Sequence, residues 1–186
     1  VLSLEQENVR TVNAYLSLSR EYVGVTDYSI ALTYANLAKD MSHNIDHQRG
    51  ELDAIYQIAH IYLAYYMDFE TAVEYYDEAH EIVKQMDSDR DLIRVYRGYG
   101  AVFAFTKKYQ VAIGFNNEAI MLAERIGDDQ LVSDLNAYGG SMYEELGDTA
   151  KAIEMYKEVE RIENENNFMN TYFASLTTIV YYYFLD

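Results

Sequence analysis

Two histidines stand four residues apart in His43-Asn44-Ile45-Asp46-His47, a spacing at which one helix could offer two imidazole nitrogens to a metal ion. No third ligand accompanies them, so the stretch reads as a solvated turn and the start of a helix. His60 and His80 fall within one repeating unit, where a packed or half-buried role is preferred over a ligand or a switch. Glu70, Glu74, Asp77, Glu78 and Glu81 have the spacing of a solvent-facing helix surface. Two carboxylates divide into acid and base only where a dry pocket pushes their pKa values apart, and nothing in the sequence marks such a pocket. No phosphate-cradling glycine loop, serine elbow or kinase motif occurs, and Gly139-Gly140 reads as helix packing. The expectation is therefore no catalytic residue, no metal and no cofactor, and a chain that is not an enzyme. Arg94 and Arg97 are different: three residues apart, they could share a helix face and offer forked donors to a carboxylate. The competing reading pairs them with acids of neighbouring repeats, and the sequence leaves both open.

Charge and composition narrow the partners. The 186 residues carry a formal net charge of −17, which argues against a nucleic-acid or anionic-membrane surface. The lack of cysteine excludes disulfides, thiolate zinc sites and thiol catalysis; it is compatible with cytoplasm and periplasm, cytoplasm being the preferred expectation. No apolar run is long enough to cross a bilayer, and the start, VLSLEQENVR, has neither a basic n-region nor an apolar h-region, so no membrane contact is expected of this segment.

Such side chains must be positioned by helices. Proline is absent, and Ala, Leu, Glu and Tyr recur at apolar spacings of three and four, which makes the chain all-α. Four segments are alike: DYSIALTYANLAKD from Asp27, DFETAVEYYDEAHE from Asp68, KYQVAIGFNNEAIM from Lys108 and DTAKAIEMYKEVER from Asp148. Their first small residues, Ala31, Ala72, Ala112 and Ala152, are separated by 41, 40 and 40 residues. Seven residues after each come Ala38, Ala79, Ala119 and, as a departure, Val159; Tyr34, Tyr75, Phe115 and Met155 lie three after the first. Seven residues is close to two turns, so both small side chains share a face where another helix can approach closely and rings fill the gaps beside them. A second helical segment precedes each unit, and Asn, Asp, Ser and Gly clusters separate the units. Each period is helix, turn, helix, turn.

This pattern resembles the tetratricopeptide repeat family, in its long-period variety found in bacterial signalling and regulatory proteins and in kinesin light chains. The family's small first-helix slot is matched by Gly100 and Gly140, with Ser19 and His60 as departures; the aromatic three residues later by Tyr22, Phe103 and Tyr143, with Leu63 as the exception. Its Gly-Asp-Tyr turn survives best as Gly147-Asp148-Thr149. The resemblance implies four hairpins, roughly 8–46, 47–87, 88–127 and 128–167, and a partial fifth repeat, 168–186, in one right-handed α-α superhelix. The ninth helix, about 168–185, would end in the uncapped Tyr181, Tyr182, Tyr183 and Phe184, which together with the start at Val1 suggests a fragment of a longer protein.

In the family's geometry the first helices line a concave groove. The resemblance thereby puts Arg20, Gln57, Arg94, Arg97, Tyr138 and Ser141 at or near groove-facing positions. The carboxylate clamp of chaperone-binding members is not reproduced: its paired slots read Leu16 and Arg20, Gln57 and Ile61, Arg97 and Ala101, Ala137 and Ser141. The expected function is a non-catalytic protein-interaction scaffold holding a peptide or protein segment, acidic in character, as the regulatory or sensory module of a bacterial signalling protein. The 20 tyrosines are its expected working residues. The alternative is a structural module that self-associates through its terminal helix, residues 171–185.

Overall fold

A computed structural model describes residues 3–166. The expected ninth helix, with Tyr181 to Phe184 and the self-association surface at 171–185, lies outside the described residues. Within them are eight α-helices and no strand: α1 (Leu4–Gly24), α2 (Tyr28–Asn44), α3 (Gln48–Ile61), α4 (Phe69–Met86), α5 (Asp89–Phe105), α6 (Tyr109–Arg125), α7 (Asp129–Glu145) and α8 (Thr149–Asn166).

The helix boundaries follow from local chemistry. Ser3 opens α1 with a reciprocal capping box: its Oγ accepts the Gln6 N–H at 3.3 Å while Gln6 Oε1 accepts the Ser3 N–H at 3.1 Å. Asp27, Asp68, Asp128 and Asp148 each accept a backbone N–H three residues on, from Ile30, Thr71, Leu131 and Lys151, at 3.1–3.2 Å. Each cap satisfies an N–H that the first helical turn leaves free. A single left-handed residue makes each turn within the two halves of the chain: Thr26, Asp46 and Met67, then Lys107, Gly127 and Gly147. The N–H after it closes back onto the preceding helix, as from Asp27 to Tyr22 O at 2.9 Å and from Asp148 to Tyr143 O at 2.9 Å.

Two compact units divide the chain, Val1–Ser88 and Asp89–Asp186. In the first, α2 packs on α1 and α3, and α4 on α3. Val12, Leu16, Ala38 and Ala54 form a core patch flanked by Tyr15, Met41 and Ile45. Ala31, Ala38, Ala72 and Ala79 have no exposed surface, so these small side chains are contact points between helices. Tyr34 stacks on Tyr22 with centroids 5.5 Å apart, filling the space beside Ala31 and Ala38.

Between α3 and α4 the helix widens into a single π-turn, Tyr62–Tyr66. The spacing of 41 residues between Ala31 and Ala72, one more than elsewhere, is absorbed here. Asp68 N–H reaches Tyr62 O at 3.0 Å, one residue further back than the corresponding bond at the other turns within the two units. The widening corrects two positions read from the sequence. Asp46 to Ala59 is the same separation as Asp87 to Gly100 and Gly127 to Gly140, and Ala59 is fully buried whereas His60 is exposed. Ala59 therefore holds the small slot assigned to His60. Tyr62, stacked on Tyr75 at 5.8 Å, does what Phe103 does on Phe115 at 5.7 Å, so the aromatic slot assigned to Leu63 belongs to Tyr62.

In the second unit α5 pairs with α6, α7 with α8, and α6 packs on α7. Ile93, Ala119, Leu122, Val132, Leu135 and Ile162 share one core; Ala112, Ile113 and Met142 share another with Phe103 and Tyr138. Ala112, Ala119, Ala152 and Val159 are again fully buried. A Cβ added at Gly140 would lie 2.7 Å from the Tyr156 ring, and one at Gly139 2.8 Å from Met155 Cε, so glycine is what lets α8 approach α7 this closely.

Candidate interaction surface on the first helices

Each predicted groove residue is carried by a first helix of a hairpin, and the two units are described separately. In the first unit Arg20 is exposed on α1, where its Nη2 donates to Ser17 Oγ at 3.2 Å on the same helix. Gln57 on α3 is half-buried, and its Oε1 is enclosed without a hydrogen-bond partner. Asp46 to Gln57 equals Gly127 to Tyr138 in separation, so Gln57 corresponds in register to Tyr138, one position on from the slot of Arg97. The one-residue difference is the residue absorbed by the π-turn. Arg20 and Gln57 therefore stand in the first unit as separate polar positions on α1 and α3.

In the second unit α5 carries three arginines with different fates. Arg90 Nη2 meets Asp128 Oδ2 at 2.8 Å, and Arg94 Nη1 meets Asp91 Oδ1 at 3.3 Å, with Asp91 buried beneath it. Arg97 is exposed and has no carboxylate partner among the described residues. Its positive charge acts on Tyr138 of α7, lowering a phenol pKa that burial of the ring raises above the ordinary value. Ser141 Oγ donates to Tyr138 O at 2.8 Å, one turn back along α7. Tyr138 itself packs against Ala112, Ile113 and Met142. The fold thus brings the charge of Arg97 near Tyr138, leaves Ser141 bonded to the backbone of its own helix, and gives Arg94 an acid of its own helix.

Arg97 offers a forked donor in the neighbourhood of a half-buried ring, which suits a planar anion such as a carboxylate. Asp91 was not singled out in the sequence, although its position three residues before Arg94 on one helix is the signal that could have found it. A cavity of about 460 Å³ between α7 and α8, lined by Asn136, Tyr143, Lys151, Glu154, Met155 and Glu158, was likewise not foreseen. His43 Nδ1 lies 3.0 Å from Glu51 Oε1, and His47 sits at the N-cap of α3. No group of three or more His, Asp or Glu side chains that could hold a metal occurs among the described residues. No helix among them is long and apolar enough to cross a membrane.

No protein-family model and no curated protein sequence matches the chain. Solved structures match its fold over most of its length. The apo form of RapI superposes with a TM-score of 0.81 at 14% identity, covering 95% of this chain and 64% of that one. A putative kinesin light chain from Podosopora anserina, with nearly identical TPR-like repeats, gives 0.77 at 12% identity, covering 98% of this chain and 88% of that one. The fold is a TPR-type helical repeat. Aspartyl phosphate phosphatase F from Bacillus subtilis gives 0.76 at 18% identity over 88% of this chain. The chain spans 43% of that phosphatase and less than two thirds of RapI. In the TPR-type frame Arg97, Tyr138 and Ser141 stand on the first helices of successive hairpins, α5 and α7.

Proposed function

We propose that the chain is a non-catalytic protein-interaction module whose first helices bind an acidic peptide segment of a partner. The observation that carries this reading is Arg97, exposed and without a carboxylate partner among the described residues of a chain of net charge −17, while Arg90 and Arg94 of the same helix have theirs. An arginine left unpaired among so many acids is free to meet a carboxylate from outside, and the Tyr138 ring beside it supplies apolar area at small entropic cost. The long repeat period motivates a bacterial signalling role, with this chain as the sensory or regulatory part.

The test is selection from a random peptide library, comparing the wild-type chain with Arg97→Glu. The wild type is expected to enrich sequences rich in Asp and Glu, and the variant, folded by circular dichroism, to lose them. Enrichment that is the same for both proteins would refute the reading. Loss of one charge-assisted contact and its replacement by repulsion is expected to weaken a selected peptide by about tenfold or more.

A further inference from the structure

At the hairpin ends of the second unit, the chain places its own cations over its own rings. Lys108 Nζ lies 5.8 Å from the centroid of Phe103, and Lys151 Nζ lies 5.2 Å from that of Tyr143. The first unit builds the corresponding ends from residues 21–29 and 62–71, which contain no Lys or Arg but hold Glu21, Asp27, Asp68 and Glu70. Here the π-turn presents rings instead. Tyr28 stacks on Tyr65 with centroids 4.1 Å apart and meets Tyr66 edge-on at 6.4 Å. Tyr65, Tyr66 and Met67 remain 38%, 47% and 61% exposed. The His60 ring meets Tyr65 edge-on at 5.9 Å, and no Lys or Arg of the described residues lies over Tyr28, Tyr65 or Tyr66.

We propose that this tyrosine cluster is a docking surface for a basic segment of a partner protein, an arginine or lysine of which lies over the exposed rings. The argument is charge complementarity together with the chain's own precedent. The face of a phenol ring carries the negative lobe of its quadrupole and attracts a cation that is partly stripped of water. The same turns supply carboxylates and no competing ammonium, so the local field adds to the ring's attraction. Tyr62 lies 5.7 Å from Tyr66 between ring centroids, and its phenol pKa is raised first by burial and then by Tyr75 and Asp68, so the Asp68 carboxylate stands near the cluster. The surface is distinct from the Arg97 site and selects partners of the opposite charge.

The test is an NMR titration of the whole chain at about 150 mM salt, where diffuse attraction is screened beyond ~8 Å. The probes are an acetylated hexa-arginine peptide and its citrulline counterpart, which keeps the shape and lacks the charge. Ring resonances of Tyr28, Tyr65 and Tyr66 are expected to shift with the arginine peptide, and the citrulline peptide to bind about tenfold more weakly or not at all. The double variant Tyr65→Ser, Tyr66→Ser is expected to weaken binding about three- to thirtyfold, and Tyr65→Phe, Tyr66→Phe to preserve it. Equal affinity for the citrulline peptide would overturn the proposal in favour of apolar docking. Shifts confined to other residues, or an unchanged affinity in the serine variant, would overturn it in favour of general attraction to an acidic chain. Should the serine variant fail to fold, the shift map and the citrulline comparison on the wild type still decide.

Discussion

Gly100 and Gly140 fill the same slot in successive repeats, yet their surroundings differ. A Cβ at Gly100 would have the Ala112 carbonyl oxygen as its nearest neighbour, at an ordinary 3.6 Å, whereas one at Gly140 would strike the Tyr156 ring. That ring has little freedom to withdraw, because Tyr156 is buried and its hydroxyl donates to Glu144 Oε2 at 3.1 Å. Gly100→Ala is therefore expected to raise stability by up to about 1 kcal/mol, through the lower backbone entropy of the unfolded chain. Gly140→Ala is expected to lower it by about 1–3 kcal/mol through overpacking. Urea denaturation of the two variants checks both signs, and a loss for both would mean that α5 and α7, unlike α3 with its Ala59, tolerate no side chain at this slot. Arg97 and Arg94 also part company at this scale, since a carboxylate three residues upstream engages Arg94 and none among the described residues engages Arg97.

Among the elements, the π-turn at Tyr62–Tyr66 is the one that departs from the repeat. It accommodates one residue more than α5 or α7 have, and it keeps both neighbours of the insertion in register: Ala59 stays buried before it and Tyr62 stacks on Tyr75 within it. Deleting the exposed Ala64 should let α3 continue as regular α-helix to Met67, with Asp68 N–H closing onto Tyr62 O as in the other turns. The shortened chain is expected to keep its helical circular dichroism and most of its melting temperature. Deletion of Ala104, in the unwidened α5, is expected to cost several degrees more, because it shifts Phe103 away from Phe115 and displaces the Lys107 turn. Equal losses in the two thermal melts would show that the widened turn is not a tolerated insertion.

For the molecule as a whole, charge and protonation set the response to solution conditions. At a net charge of −17 the folded chain repels itself, so raising the salt from about 10 to 150 mM is expected to raise the melting temperature. Acid acts through a different group. His80 on α4 has its pKa held below the ordinary value, first by burial and then by the charge of Lys84. Its unfolded form takes up a proton at about pH 6.5 while its folded form does so only at lower pH, so the unfolded state binds more protons in that window and stability falls as pH drops through it. Glu81 and Glu158, held below the usual carboxylate range by hydrogen bonds from Lys84 and Arg161, add their own loss of stability further down in acid. A melting temperature that declines from pH 7 toward about pH 5.5 is expected, with a shallower decline in His80→Gln. Identical profiles for the two proteins would assign the acid response elsewhere.

The sequence by itself determined the helices, their pairing into hairpins and the alanine contacts, because these depend on local capping, on the absence of proline and on a period that repeats whatever surrounds it. The fully buried Ala31, Ala72, Ala112 and Ala152 could be named from spacing alone. The register of α3 could not, since an extra residue can be taken up anywhere along a helix, and only packing chose the π-turn and gave the small slot to Ala59 and the aromatic slot to Tyr62. Arg94 and Arg97 looked alike in sequence for a similar reason. Which guanidinium is paired depends on where Asp91 is buried and where α7 brings Tyr138, and those are distances that tertiary structure alone sets.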